Sequence, residues 1–458
     1  MDIARFFVRE LSIPSAGLTA ACVFSLFLLR PLDCNARDWS FDAQQYAALV
    51  DADSPQTITP GTRIGLDNWQ RYRNFLPVGV QALFSHTYQW AIPGGPDAEM
   101  VVGPTVAISQ PYKYRRDTEQ YAGRVKLIKN AGGHIAIGGY VAGLPFPDLR
   151  HDDPELVYKL IYDAYFHYHP FVLHYRQRAL VFDTYLNRTD TAVSAVEFRL
   201  NHVSDEGYPI SDPLAPADIF FTSNMTIEAP EQTKYTVNLL IYYDAPDRVQ
   251  DIYTYIPSLR RSVRRSSAAR CSPILGTDVV QDDIYPRPVL LDQFSYKVLG
   301  HKKLLFQTNL DPRLLSDERS YNLGTTPGWP KPILGTWELR KVWLIEERTL
   351  PSNTDYCYGT RVSYLDPDQF VVAQQDLYHR NLKFSKIFQT GFAPGPLDDG
   401  HGSVLMQANV RSMTIDLINN HATASLQLTQ GRVNGEVPQK YRDVQVWALP
   451  AGLSQMNP

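Results

Sequence analysis

The chain has 458 residues, 44% of them hydrophobic and 20% charged, with a formal net charge of −4 at pH 7. A chain of this length lies far above the size at which a hydrophobic core becomes marginal. Its slightly acidic balance excludes the strongly basic character of a general nucleic-acid binder.

At the N-terminus, Arg5 and Arg9 precede an apolar run from Ala16 to Leu29, and the polar stretch RPLDCNA follows, ending at Ala36. The run is shorter than the roughly 20 residues of a membrane-spanning helix. A basic start, a short apolar centre and a small terminal residue mark a cleavable export signal. Residues 1–36 are therefore expected to be removed, with a retained membrane anchor as the alternative. Acylation at Cys34 is disfavoured, because Pro31, Leu32 and Asp33 stand where small residues usually precede an acylated cysteine. Cys22 and Cys34 fall within the signal, which leaves Cys271 and Cys357. An even pair in an oxidising compartment predicts one disulfide, against two buried thiols.

Beyond the signal, a short helix is expected over Phe41 to Val50. A second helical stretch, 66–84, starts at a capping Asp67 and is interrupted by Pro77. Val125 to Ile137 reads as a hairpin turning at Asn-Ala-Gly-Gly. Asp153 as cap with Pro154 in the first helical position predicts a helix over 153–169, apolar around much of its circumference. From residue 178 the chain reads mostly as strand, and 337–429 as a long antiparallel meander with turns at Asp366-Pro367-Asp368, at His379-Arg380-Asn381 and from Gly395 to Gly402. Trp337, Leu339, Lys341, Trp343 and Ile345 alternate with Glu338, Arg340, Val342 and Leu344. Both sets are mixed, which implies partial cover on both faces. The simplest organisation is one large domain over 37–458.

Several segments carry chemistry-bearing side chains. Tyr253 and Tyr255 lead into Arg260, Arg261, Arg264, Arg265 and Arg270, with Asp278, Asp282 and Asp283 close behind. These charges fit structural ion pairs, or an arginine face that holds a carboxylate or phosphate head group. On an extended strand Arg260 and Arg264 share one face, and Arg261 and Arg265 the other. Tyr162, Tyr165 and Phe166 belong to an aromatic stretch suited to the core or to the wall of an apolar cavity. His167, His169 and His174 lack the spacing of a metal site, and no cofactor is expected. Adjacent carboxylates such as Glu346-Glu347 diverge to opposite faces of a strand. No nucleophile elbow, zinc helix or phosphate loop occurs, so no enzyme activity is expected.

The stretches PGTRIGLDNWQRYRNFLPVGVQALF, EMVVGP, GYVAGLPFP, YIPSLRRSVRRSSAARCSPILGTDVVQDD, GTWELRKVWLIE, YCYGTRVSYLD and VPQKYRDVQVWALPAGL together resemble a Gram-negative family of unknown function. That family is often labelled outer membrane lipoprotein-sorting protein and is grouped with the LolA/LolB-like carriers. The resemblance departs at the long export signal and at a short loop around Asp283–Pro288. It implies an α+β, mainly β fold: a large curved antiparallel sheet or incomplete β-barrel with helices covering its concave side. It further implies a periplasmic carrier or binding protein for a lipid or other hydrophobic ligand, associated at most with the outer membrane. The alternative is a non-enzymatic accessory protein that docks to an envelope transporter of the resistance-nodulation-division type or to an outer-membrane protein. The GTDVVQDD segment is expected to be an aspartate-anchored structural turn near the barrel rim.

Overall fold

A computed structural model describes residues 39–455, apart from 131, 267–269 and 285–286. The expected export signal lies outside the described residues, as does part of the Asp283–Pro288 loop.

The chain is organised around one antiparallel sheet of 13 strands. The first six are β1 (Val172–Phe182), β2 (Arg188–Arg199), β3 (Ile219–Ala229), β4 (Val237–Tyr243), β5 (Asp251–Ile256) and β6 (Arg261–Arg265). The rest are β7 (Phe294–Leu310), β8 (Gly335–Thr349), β9 (Thr360–Asp366), β10 (Val371–Tyr378), β11 (Phe384–Asp398), β12 (Ser403–Asp416) and β13 (His421–Val433). Their order is β6-β5-β4-β3-β2-β1-β13-β12-β11-β10-β9-β8-β7. Two meanders of chain neighbours thus join where the first strand meets the last, with Ala179 opposite Ser425. The edge strands β6 and β7 do not pair, so the sheet is open and no barrel is closed. Residues 50–52 run along the free side of β7, with Ala52 N–H on His301 O at 3.0 Å and Lys303 N–H on Val50 O at 2.7 Å. Among the described residues no strand pairs with the free side of β6.

The helices are α1 (Ala43–Ala47), α2 (Trp69–Tyr72), α3 (Val78–Phe84), α4 (Tyr112–Tyr121), α5 (Leu156–Tyr165) and α6 (Val444–Trp447). None of the described helices is long and apolar enough to cross a membrane. Pro77 separates α2 from α3 as expected. Asp67 is not the cap: Asn68 takes that place and spends its side chain on Gly65 N–H at 2.9 Å. The helix expected over 153–169 is shorter at both ends. Asp153 closes a turn by accepting from Glu155 N–H, 2.8 Å, so α5 begins only at Leu156. Pro170, which cannot donate to a helix, lies just beyond its end. The hairpin holds, with strands Lys126–Lys129 and Ile135–Gly138 and a loop pinned by Asn130 Oδ1 on the amides of Gly132 and His134.

Both faces of the sheet are covered, which is why β4 and β9 are buried along their whole length, the polar Arg361 and Ser363 of β9 included. On one face of β7–β13, α3 packs Val80 and Leu83 near Leu344, Tyr364 and Ile387. It comes so close that a Cβ on Gly79 would sit 2.5 Å from Asp376 Oδ1. The C-terminal segment packs Val444 and Leu453 on the corresponding face of β1–β5, against Phe198, Leu239 and Ile241. The other, inner face holds α5. Leu156 and Leu160 meet Trp343 and Leu365 of one meander, while Tyr165 and Phe166 meet Ala195 and Phe221 of the other.

Candidate functional site

The segment between β6 and β7 is a strap lying across the inner face. Within ten residues it touches strands from both meanders. Asp278 meets Thr423 of β13, Lys386 of β11 donates to Asp278 O at 2.9 Å, and Gln281 donates to Tyr242 of β4 at 3.1 Å. Arg361 of β9 donates to Asp282 O at 2.6 Å, and Arg287 forks onto Glu347 of β8 at 2.5 and 2.8 Å. A sheet whose distant strands reach one short segment must curl around it. Cys271 and Cys357 are joined by a disulfide, Cα–Cα 5.6 Å, which ties the start of the strap to the segment entering β9. The GTDVVQDD stretch is an aspartate-anchored turn, with Asp283 accepting from Val280 N–H at 3.0 Å, but it lies buried within the fold rather than at a rim.

Arg270, Arg287 and Arg361 balance Asp282, Asp283 and Glu347 in this buried layer. Burial pushes the Asp283 carboxyl above its usual range, opposed by the Arg361 charge. Charge pairing of this density fixes a segment in place, although Arg270 Nη1, Arg287 Nε and Arg361 Nε have no hydrogen-bond partner among the described residues. A small inner cavity of about 30 Å³ lies between Ile161 and Ala164 of α5 and Arg287, Ile345 and Leu365. That is room for about one water molecule.

The residues singled out from sequence do not converge. Arg260 sits in a left-handed turn, φ +47°, ahead of β6. Arg261 and Arg265 occupy one side of that edge strand, and Arg264 the other, where it pairs with Asp251 at 2.6 Å. Arg260, Arg261 and Arg265 have no ion-pair partner among the described residues. Tyr255 is buried and Tyr253 half-buried against the C-terminal segment. Tyr162, Tyr165 and Phe166 are core residues. Tyr162 O–H donates to Ile135 O and Tyr165 O–H to Tyr243 O, which satisfies both phenols. His167, His169 and His174 each bond a different partner: Ala164 O, Glu197 and Ser194. Among the described residues no group of three or more His, Cys, Asp or Glu side chains is placed to hold a metal.

The roomier site is a groove of about 530 Å³ where the inner face runs out along β7 and β8. Volumes of 300–1,000 Å³ are typical of small-molecule sites. A bulge at Leu299, between the pairs Val298–Ile345 and Gly300–Leu344, sets the register here. It places three cross-strand rungs in succession: His301 opposite Trp343, Lys303 opposite Lys341, and Leu305 opposite Leu339. His301 stacks on Trp343 with ring centroids 4.2 Å apart and planes 10° from parallel. Burial, with His151 nearby, pushes His301 down to about 4, so the ring is neutral at neutral pH. Ile58, Pro60 and Pro367 add apolar wall, and Arg340, which also lines the groove, is committed to Asp366, Asp368 and Val106 O. In sequence, HKK and RK on strands are indistinguishable from solvated charges. Only the register shows that two lysines face each other.

The sequence pattern of a family described as protein of unknown function (DUF1329) matches residues 63–449. The chain belongs to that family. No curated protein matches it in sequence. Among solved structures it is similar to a DUF1329 family protein from Desulfovibrio piger, at 11% identity and TM-score 0.43 over 63% of this chain and 97% of that one. A domain from Vibrio parahaemolyticus named for outer membrane lipoprotein sorting gives 10% identity and TM-score 0.42 over 63% and 97%. The LolA superfamily protein NE2245 from Nitrosomonas europaea gives 11% identity and TM-score 0.34 over 62% and 96%. The fold described above rests on this chain's own geometry.

Proposed function

We propose that this protein is a non-enzymatic carrier or binding protein of the periplasm, and that its hydrophobic or amphiphilic ligand sits in the groove along β7 and β8 rather than inside the curved sheet. The observation that carries this reading is one of volume: about 530 Å³ in the groove against about 30 Å³ under α5. The expected export signal and the disulfide agree with an oxidising compartment outside the cytoplasm. Apolar burial worth roughly 25 cal/mol per Å² makes a half-open groove able to hold an alkyl chain and still release it. Native mass spectrometry of protein from a periplasmic extract, followed by solvent extraction, tests this. A reproducible stoichiometric adduct is expected; protein that stays empty after incubation with envelope lipids overturns the reading.

A second reading follows from β6. Its free side has no strand partner among the described residues and its Arg261 and Arg264 are exposed, which suits docking to an envelope transporter or outer-membrane protein as well as it suits a charged, aggregation-resistant edge. Cross-linking from position 261 in native membranes separates these: a single specific partner supports docking, and none leaves β6 a guarded edge.

A further inference from the structure

The cross-strand rungs of the groove define a ligand chemistry. Lys303 and Lys341 are directly opposite on adjacent antiparallel strands and face the same side. Like charges in that relation repel and destabilise a sheet unless something neutralises them. The protein does little of this itself. Lys303 Nζ is held by two carbonyls, Ser54 O at 2.7 Å and Gln56 O at 3.3 Å, with no carboxylate in reach among the described residues. Among the described residues Lys341 pairs only with Asp53, at 3.8 Å, with both side chains more than half exposed. Such a contact contributes little in water.

The flanking rungs differ in kind. On one side of the lysines lies the His301–Trp343 stack, and on the other Leu305 and Leu339. Ile58, Pro60 and Pro367 carry the apolar surface further along the groove. A paired cationic rung beside apolar wall is complementary to one class of molecule, an apolar chain ending in an anionic group. Both nitrogens of the neutral His301 ring are buried and lack a hydrogen-bond partner among the described residues.

Resting on the carrier reading, we infer that the groove selects amphiphiles with a carboxylate or phosphate head, held between Lys303 and Lys341, with the chain lying on Leu339, Ile58 and Pro367. The shared chemistry is the anionic head; whether it comes from a fatty acid, a phospholipid or a free anion is settled by choice of probe.

Calorimetric titration of the full mature protein with dodecanoate, dodecyl phosphate, dodecanol, dodecyltrimethylammonium and inorganic phosphate tests it. The two anionic amphiphiles are expected to bind at least about tenfold more tightly than the alcohol, the cation or phosphate alone. Lys341 is exposed, so Lys341→Glu is expected to fold and to lose the preference for the anionic amphiphiles over dodecanol. Lys341→Gln is expected to raise the unfolding midpoint of the ligand-free protein by relieving the repulsion. Equal binding of dodecanol and dodecanoate overturns the anionic preference and leaves the carrier reading standing. Binding of inorganic phosphate as tightly as dodecyl phosphate overturns the amphiphile assignment. Failure of every dodecyl probe overturns both.

Discussion

Thr423 and Asp278, 145 residues apart in the chain, hold each other by two hydrogen bonds: Thr423 Oγ1 accepts from Asp278 N–H at 2.9 Å and donates to Asp278 Oδ2 at 2.7 Å. The joining strand β13 thereby fixes the strap at the middle of the inner face. The strap in turn bridges the two meanders, which also meet where β1 pairs with β13 and where Arg178 and Arg188 reach Glu318.

Removing that hydroxyl should loosen the strap without disturbing the sheet. Thr423→Val keeps the branched shape and deletes both bonds. It leaves a buried amide and one carboxylate oxygen short of a partner, at a cost of about 1–3 kcal/mol. Urea unfolding measures the loss, and hydrogen exchange at the Asp278 amide locates it. An unchanged midpoint together with a still-protected amide means the strap is held from elsewhere.

The disulfide acts on the same segment from its other end. Joining Cys271 to Cys357 closes a long loop in the unfolded chain, worth about 4–5 kcal/mol by chain entropy. Replacing both cysteines by alanine is expected to lower stability by up to that amount and to abolish the sensitivity of the unfolding midpoint to reductant. A wild-type midpoint that does not move on reduction contradicts the bridge.

Arg287 and Glu347 are both almost fully buried and forked together. Cutting such a pair from one side strands a charge, so Glu347→Leu is expected to cost about 3–5 kcal/mol. Arg287→Met added to it should recover part of that loss, because no orphan charge then remains. A double variant as unstable as the sum of the two singles shows that the pair is not coupled.

The meander was legible because its strands are long and its turns carry Pro, Asp, Asn and Gly, and the two core faces showed as mixed rather than polar alternation. The strap was not legible. GTDVVQDD has no periodicity, and what holds it is a set of side chains on Thr423, Lys386, Arg361 and Glu347 that only the folded register brings together. Arg270 shows the same limit: it belongs to the arginine run by sequence, yet it is buried beside Asp282 while Arg260, Arg261 and Arg264 are exposed. The groove depended on one bulge at Leu299. A register shifted by a single residue would have turned Lys303 to the opposite face and removed the lysine rung.

Asp376 offers a pH test of how α3 is fastened to the sheet. Its carboxyl accepts from Tyr364 O–H at 2.7 Å, Tyr46 O–H at 3.1 Å, Gln374 Nε2 at 2.8 Å and Gly79 N–H at 3.2 Å. Burial outweighs these bonds and pushes the group up to about 6 from 3.8. Because the folded value is the higher one, the folded state binds the proton more tightly. The stabilisation from this group is complete below about pH 3.8 and is lost as pH rises through about 6. From about pH 4 to about pH 8 the loss amounts to about 2–3 kcal/mol. Asp376→Asn cannot ionise, so the stability of wild type relative to the variant should fall by that amount across the range. Urea unfolding of both proteins at several pH values reads it directly, and a gap that stays constant with pH shows that Asp376 is ionised throughout.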